Sequence, residues 1–444
     1  MHNAIIIGAG YVGLTLGIVA AESGNKVALV EKDHEKFLMI TAGQAHFYED
    51  GIDNRLRALL ESGSINAYRT LEQSMLMFSD DSDLPRIFII TLGTPLSSQT
   101  EGSYSAIEKV VCDIAKYYRE SDVLILRSTV SIGTANRISE LHNNIKHIAF
   151  CPERTIEGEA LRELRELPQI IGYSSTYAKD LADQFFLTFC PSVIHVSNLQ
   201  TAETIKLISN SFRDLNFAFA NAVAMLGLQH KFSGLEAIQA ANASYRRNNI
   251  PIPGPVGGPC LEKDSLILCD SSTEKDTFEF LRLARGLNRN LVRKILLEWL
   301  SLLGPDLKIE SALVCGLAFK GKPLTDDTRG SLAIDVVSHF QSLGLRPDQI
   351  LGIDPLVVNF AGISEIFRSL DSFHKIKPTI IVICTNHELF QSSSFITFLQ
   401  RANAPVLTFW SFPDTNISLH KLSYSLSEGG YRVTGDGASV LRFA

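Results

Sequence analysis

Short apolar runs that stop at Gly, Pro or polar clusters recur along this chain and alternate with stretches of helical period. Residues 4–8, 26–30, 86–91, 123–126 and 148–150 are nearly continuous in Val, Ile, Leu, Phe and Ala, the pattern of strands covered on both faces. After Ile194-His195-Val196 the pattern lengthens into one helix from about Thr201 to Leu228, with few breakers. A second helical region, 276–303, closes at Gly304-Pro305. Strands then return at 311–317, 350–353, 379–384 and 406–409, with a helix from Ser331. This alternation predicts an α/β fold: two Rossmann-like parallel-sheet domains, the second smaller, joined by a long central helix within a helical region. The boundaries fall at 1–198, 199–304 and 305–444. The segment after Leu419 carries no readable pattern.

The first run feeds Gly8-Ala9-Gly10-Tyr11-Val12-Gly13 and then a helical stretch through Ala21, the order of strand, GxGxxG and helix. Gly8 allows the tight turn, Gly10 lets backbone amides approach a pyrophosphate, and Gly13 lets helix and strand pack closely. The second run ends at Glu31, about 20 residues on, where a carboxylate accepts from a ribose 2′-hydroxyl and repels a 2′-phosphate. NAD is therefore the expected cofactor. Three further strands end in Leu92-Gly93-Thr94-Pro95, Arg127-Ser128-Thr129-Val130 and Cys151-Pro152-Glu153-Arg154, at the sheet edge where ligands of such sheets bind. Thr129 suits a helix N-cap equally well, and Glu153 and Glu157 suit a solvated turn. The 305–444 region lacks a complete GxGxxG, so a second dinucleotide is not expected there.

Composition leaves this architecture unchanged and narrows the function. At 444 residues, 45% hydrophobic and 20% charged, the chain has the profile of a soluble enzyme of two or three domains. A net charge of −7 argues against a general nucleic-acid binder. Seven cysteines, scattered and without a CxxC pair, indicate neither a disulfide framework nor a zinc site. Reduced thiols in the cytoplasm and no metal are the expectation. The first residues lack a basic n-region and a cleavage site, and no run of about 18 apolar residues occurs, so neither a leader nor membrane insertion is expected.

One stretch points to covalent chemistry. In Gly257-Gly258-Pro259-Cys260-Leu261-Glu262-Lys263-Asp264 a cysteine follows a pliable approach and precedes a charged pair, and nearby positive charge favours an ionised sulfur. Cys260 is the candidate nucleophile, the plain alternative being a small buried residue in a turn. Glu203, Lys206 and Asn210 lie three and four apart on one face of the long helix, either as a solvated stripe or as site residues on a mostly buried helix. The Pro/Gly-rich loop before Cys260 carries Arg246 and Arg247, which suit an anionic group or a plain charged surface.

The glycine motif, Ser128-Thr129-Val130 with Gly133-Thr134, Cys151-Pro152-Glu153-Arg154, Lys206 with Asn210, the 257–264 stretch, and Gly316-Leu317-Ala318-Phe319-Lys320 followed by Thr325-Asp326-Asp327-Thr328-Arg329 together resemble the UDP-glucose/GDP-mannose 6-dehydrogenase family. The motifs run in the family's order from residue 4 to about 410. The resemblance implies an NAD domain, a central helix used for dimerisation, and a C-terminal domain for the nucleotide diphosphate. It also implies a four-electron oxidation of a UDP-sugar C6 alcohol through a Cys260 thiohemiacetal and thioester, with two NAD consumed. Carried over residue by residue, Lys206 acts on the C6 oxygen, Asn210 stabilises oxyanions, Asp264 and Thr129 position water, and Glu153 and Glu157 are the carboxylates near the thioester. Gly8, Gly10, Tyr11, Val12, Gly13, Glu31, Lys36, Gly93, Thr94, Ser128, Thr129, Lys263 and Arg329 surround NAD. Glu153, Arg154, Lys206, Asn210, Arg247, Gly257, Phe319 and Lys320 surround the substrate. Arg247, with Arg246 as fallback, matches an arginine that reaches the neighbouring subunit, which implies at least a homodimer.

Within the family, Pro152-Glu153-Arg154 looks like members that oxidise UDP-N-acetylhexosamines, whereas Glu157 resembles the UDP-glucose enzymes. Ser131, Glu31 and Glu262 depart from the commoner Pro, Asp and Pro. A two-electron 6-phosphogluconate-type dehydrogenase shares the expected architecture but has no use for Cys260. A catalytically silent nucleotide-binding scaffold has no use for Lys206 or Asp264 either.

Overall fold

The computed structural model describes residues 2–78, 84–93, 100–230, 232–274, 276–304, 307–370, 377–402, 404–410, 423–425, 430–435 and 438–442. They form two units, Met1–Ser209 with Leu266–Thr277, and Asn210–Ser265 with Phe278–Ala444.

The first unit is built on strands β1 (Asn3–Ile7), β2 (Lys26–Val30), β3 (Ile65–Tyr68), β4 (Arg86–Ile90), β5 (Val123–Leu126), β6 (Ile148–Phe150), β7 (Gln169–Tyr173) and β8 (Val193–His195). Their order is β3-β2-β1-β4-β5-β6-β7-β8. From β3 to β6 the neighbours are parallel, with Ile7 opposite Val30 on one side and Ile90 on the other. Parallel neighbours cannot be joined by hairpins, so the chain returns through helices that cover both faces. Successive strand residues point to opposite faces: Ile6, Leu29, Ile89 and Ile125 enter one core, while Ile5, Ala28, Phe88 and Leu124 enter the other. This is why the strands read as continuous apolar runs. β7 departs from the parallel pattern and runs antiparallel to β6.

The second unit repeats the arrangement with β9 (Ala312–Cys315), β10 (Ile350–Ile353), β11 (Glu365–Phe367), β12 (Ile380–Ile383), β13 (Val406–Thr408), β14 (Ser423–Ser425), β15 (Gly430–Gly435) and β16 (Ala438–Arg442). Its order, β11-β10-β9-β12-β13-β14-β15-β16, begins as the first sheet does. The expectation of a smaller second sheet is corrected in its size. This sheet also has eight strands, and its β14–β15 and β15–β16 pairs are antiparallel. Two helices complete the frame. The central helix spans Leu199–His230, 32 residues or about 48 Å, and a second spans Glu279–Leu303. The division between the units falls within the central helix, after Ser209. No helix among the described residues is long and apolar enough to cross a membrane.

One buried ion pair fastens the β4–β5 pair of the first sheet. Asp122, fully buried just before β5, accepts from the Arg86 backbone N–H at 2.9 Å, from its Nε at 3.1 Å and from its Nη2 at 2.6 Å, and from the Arg119 N–H at 2.8 Å. Removing one partner of such a pair strands a buried charge. Asp122→Ala is therefore expected to destabilise the first unit by about 3–5 kcal/mol, read as a lower urea midpoint in equilibrium unfolding.

Candidate active site

In the first unit the glycine turn has the geometry that a dinucleotide needs. Gly8 adopts a positive φ of 98°, and its N–H donates to the Val30 carbonyl at 2.9 Å. Gly10 caps the helix Tyr11–Glu22, and a Cβ built on it would meet nothing within 4 Å, so backbone can approach a phosphate there. At Gly13 the same atom would lie 1.9 Å from the Gly8 carbonyl oxygen, so no side chain fits. Glu31, at the end of β2, is buried, and its carboxylate accepts from the Ala9 N–H at 3.1 Å and the Asp33 N–H at 2.9 Å. A carboxylate has about four acceptor positions, so two backbone donors leave room for ribose hydroxyls. Lys36 lies on the next helix, whose N-cap Asp33 accepts from the Lys36 N–H at 3.1 Å. Gly93 is exposed, and Thr94 lies outside the described residues. These residues fit NAD.

The loops after β5 and β6 carry the next group. Arg127, buried, donates from Nε to Glu153 Oε2 at 2.9 Å and also from Nη2, while Glu153 Oε1 accepts from the Arg154 and Thr155 N–H groups at 2.8 Å each. Burial alone would raise the Glu153 pKa, but Arg127, Lys206 and the Thr155 N–H outweigh it and hold it below the ordinary value. Lys206 Nζ, on the central helix, donates to the Glu153 carbonyl oxygen at 2.6 Å. Arg154 instead turns to the Pro168 carbonyl at 2.6 Å. Ser128 is buried with its hydroxyl 3.4 Å from the Ile90 carbonyl, and Thr129 is half-buried beside it. Thr129 caps no helix. Gly133 occupies the N-cap of the helix Thr134–Leu141.

Two carboxylates that sequence reasoning left without this role organise these loops. Glu203, which the sequence placed on the Lys206 face without assigning it a contact, accepts from the Gly133 N–H at 2.6 Å and the Ala135 N–H at 2.7 Å, fixing the far end of the Thr129 loop. Burial pushes its carboxyl up to about 7, against the pull of both N–H bonds. Glu49 does the same for the Glu157 loop, accepting from the Gly158 N–H at 3.0 Å and the Leu161 N–H at 3.2 Å. The Tyr11 hydroxyl donates to Glu49 and accepts from the Gly158 N–H at 2.8 Å, and burial together with Glu49 pushes the phenol pKa well up. The glycine turn and the Glu157 loop thus share one carboxylate. No local pattern marks Glu49; its partners lie 38 or more residues away.

In the second unit Cys260 is exposed, so the reading of a buried structural thiol does not hold. Its carbonyl accepts from the Lys263 N–H at 3.2 Å and the Asp264 N–H at 3.0 Å, closing a turn into the helix Asp264–Asp270. Asp264 is fully buried: Oδ1 accepts from Lys263 Nζ at 2.7 Å and Oδ2 from Asn210 Nδ2 at 2.6 Å. A Cβ on Gly257 would lie 2.1 Å from the Gly330 carbonyl oxygen, and one on Gly258 would lie 2.8 Å from the Phe319 ring. The thiol-bearing turn is therefore seated on the Phe319 and Gly330 loops by backbone contact. Lys320 Nζ stands 5.3 Å from the centre of the Phe319 ring. Asp354, at the end of β10, binds the N–H groups of Leu317, Ala318, Leu356 and Val357 at 2.8–3.2 Å, which holds the loop carrying Phe319 and Lys320. Arg329 pairs with Asp327 at 2.6 Å, and Arg247 is exposed with its guanidinium 5.8 Å from the Tyr245 ring centre.

The chain matches two family models, the NAD-binding domain of the UDP-glucose/GDP-mannose dehydrogenase family over residues 2–190 and the central domain of the same family over residues 200–290. It is 32% identical over 403 residues to the UDP-N-acetyl-D-mannosamine dehydrogenase of Pyrococcus horikoshii, covering 87% of this chain and 90% of that protein. It is 28% identical to the NDP-N-acetyl-D-galactosaminuronic acid dehydrogenase of Ralstonia nicotianae, covering 87% and 91%. A solved structure of the UDP-D-ManNAc dehydrogenase from Pyrococcus horikoshii superposes with a TM-score of 0.79 at 28% identity, covering 96% of this chain and 99% of that one. With its two family models together spanning residues 2–290 and a relative 32% identical along most of both chains, the chain belongs to the UDP-glucose/GDP-mannose dehydrogenase family of NAD-dependent nucleotide-sugar dehydrogenases.

Proposed function

We propose that the chain oxidises the C6 hydroxyl of a UDP-N-acetylhexosamine to a carboxylate in two successive two-electron steps. The observation that carries this reading is the Cys260 turn, an exposed thiol on a backbone fixed by close approach at Gly257 and Gly258, followed by the buried Asp264. An ordinary two-electron dehydrogenase has no task for such a thiol. Bound NAD supplies the hydride acceptor in each oxidation.

The chain's own residues divide the remaining work. Lys206, oriented by the Glu153 carbonyl, donates a hydrogen bond to the C6 oxygen as that hydroxyl's proton passes to water. Cys260 thiolate adds to the aldehyde carbon and gives a thiohemiacetal; loss of a second hydride gives the thioester, and attack by water releases the carboxylate and restores the thiolate. Asn210 spends one N–H on Asp264 and has a second for the C6 oxyanion. Asp264 and Thr129 are assigned to the attacking water, and Glu157 to the thioester. The Glu153 carboxylate is committed to Arg127 and two backbone donors, which suits it to positioning Lys206. Phe319 and Lys320 are assigned to the uridine diphosphate, and Lys263 and Arg329 to NAD.

For the sugar, the names of the two relatives and Pro152-Glu153-Arg154 support an N-acetylhexosamine, with N-acetylmannosamine first. Glu157 is the residue that favours UDP-glucose instead. A dimer is proposed from the central helix, where Phe212, Phe219 and Leu226 follow one another at seven-residue spacing and are 65%, 56% and 45% exposed, an apolar stripe on one face.

Three outcomes are expected. Turnover with a panel of UDP-sugars yields two NADH per acid formed, fastest with UDP-N-acetylmannosamine; one NADH per sugar with accumulated aldehyde would remove the four-electron scheme, and turnover with UDP-glucose alone would remove the N-acetyl preference. Cys260→Ser lowers acid formation by roughly 10³-fold or more while NAD affinity, read by fluorescence titration, stays near that of the parent. Phe219→Asp shifts the species seen in sedimentation velocity from dimer toward monomer, and a parent that sediments as a monomer removes the dimer.

A further inference from the structure

The Cys260 loop rests on a buried polar network in the second unit that no role assigned above uses. Asp214 and Asn221 come from the central helix, and Arg285 and Asn288 from the helix Glu279–Leu303; their residue exposures run from 0% to 6%. Arg285 Nη1 donates to Asp214 Oδ1 at 2.7 Å, and Asn288 Nδ2 donates to the same oxygen and to the Asp214 carbonyl, both at 2.8 Å. Asn221 Nδ2 donates to Asn288 Oδ1 at 3.0 Å, which joins the four side chains into one chain of bonds.

This network touches the loop at three points. Asn221 clamps Gly254 through both backbone groups, donating to its carbonyl at 3.0 Å and accepting from its N–H at 2.8 Å. Arg285 Nη1 reaches the Leu261 carbonyl at 3.4 Å, and Ser265 Oγ donates to Asp214 Oδ2 at 3.4 Å. Gly254 leaves no slack on its other side, since a Cβ there would lie 3.1 Å from the Trp410 ring. Cys260 therefore sits between fixed points at 254 and at 261 and 265. Burying an arginine and an aspartate in place of apolar residues often adds no stability, so what marks this pair is where its bonds go, to Gly254 through Asn221 and Asn288 and to Leu261 and Ser265 directly.

We propose that Asp214, Arg285, Asn288 and Asn221 form a positioning unit that sets the register of the Cys260 loop and acts on the covalent steps of the oxidation through that loop, without touching substrate. This rests on Cys260 being the nucleophile. A reacting sulfur needs its approach line held to fractions of an ångström, and a misplacement of about 1 Å costs on the order of a hundredfold in rate.

The test uses the full chain with Asp214→Asn and Arg285→Gln combined, which keeps a hydrogen bond without leaving a lone buried charge but is too short to reach Leu261. Two readouts are taken: steady-state kinetics, and the rate at which iodoacetamide alkylates Cys260, followed by mass spectrometry. The expected result is a kcat lower by roughly 10- to 100-fold, a KM for NAD within about twofold of the parent, and a severalfold change in alkylation rate in a protein with parental circular dichroism. Parental kcat and alkylation rate in that folded variant overturn the proposal. If the pair does not fold, Asn221→Ala, which leaves both charges in place, is read for the same two quantities with the same criteria. Alkylation reports the loop whatever the chemistry. Retained acid formation in Cys260→Ser sinks the nucleophile reading alone, and an unchanged alkylation rate sinks the positioning unit alone.

Discussion

Irregular loops leave backbone N–H groups without a helix or strand partner, and where such a loop is buried each orphan donor must be met from elsewhere. In this protein the partner is repeatedly a buried carboxylate. Glu31 takes the N–H of Ala9, Glu153 those of Arg154 and Thr155, Glu203 those of Gly133 and Ala135, and Glu49 those of Gly158 and Leu161. Each lies on, or next to, a loop that carries a candidate site residue. A carboxylate that binds two donors on neighbouring residues fixes both the position and the twist of the peptide between them. The same bonds that cancel the cost of burial therefore hold the loops in one conformation.

The two sheets put this device to different use at equivalent places. Both begin with the same order, the third strand beside the second beside the first beside the fourth, and in both the second strand ends in an acid, Glu31 or Asp354. Glu31 accepts from two backbone donors and keeps acceptor capacity for ribose hydroxyls. Asp354 accepts from four, Leu317, Ala318, Leu356 and Val357, which exhausts its roughly four lone-pair positions. One architecture thus yields a carboxylate with acceptor positions to spare in the first unit and a fully occupied loop brace in the second. This is the physical content of the missing GxGxxG in the second sheet.

The central strands and the long helix were legible because burial on both faces forces continuous apolar runs, and the 26–30, 123–126, 148–150 and 350–353 runs became strands with those bounds. Of the strands that escaped notice, Ile65–Tyr68 and Glu365–Phe367 sit at sheet edges, Gln169–Tyr173 pairs in the opposite sense to its neighbour, and the three after Leu419 follow no readable pattern. Edge strands keep polar residues, so their apolar signal is short. Cys260, Lys206 and Asn210 stood out as candidates because residue type and spacing within a segment are visible in a sequence. Glu49, Arg127 and Asp214 did not, because a buried acid or arginine has the same composition as a solvated one. Lys263 illustrates the limit: three residues after Cys260 it reads as a partner for the sulfur, but its ammonium lies on Asp264.

That displacement of Lys263 bears on how a covalent oxidation can run on this loop. In the proposed reaction the sulfur adds to the aldehyde carbon, stays bound through the second hydride transfer and leaves on hydrolysis, so one sulfur position has to serve three successive steps. A side-chain charge pressed against the thiol would favour one of them and hinder another. Lys263 pairs with Asp264, and Asp264 also accepts from the neutral Asn210 amide, while the loop is seated by close approaches at Gly257 and Gly258 that a side chain would block. Glycine at these positions carries an entropic cost in the unfolded chain. At Gly257 that cost accompanies an approach no side chain permits, since a Cβ there would lie 2.1 Å from the Gly330 carbonyl oxygen.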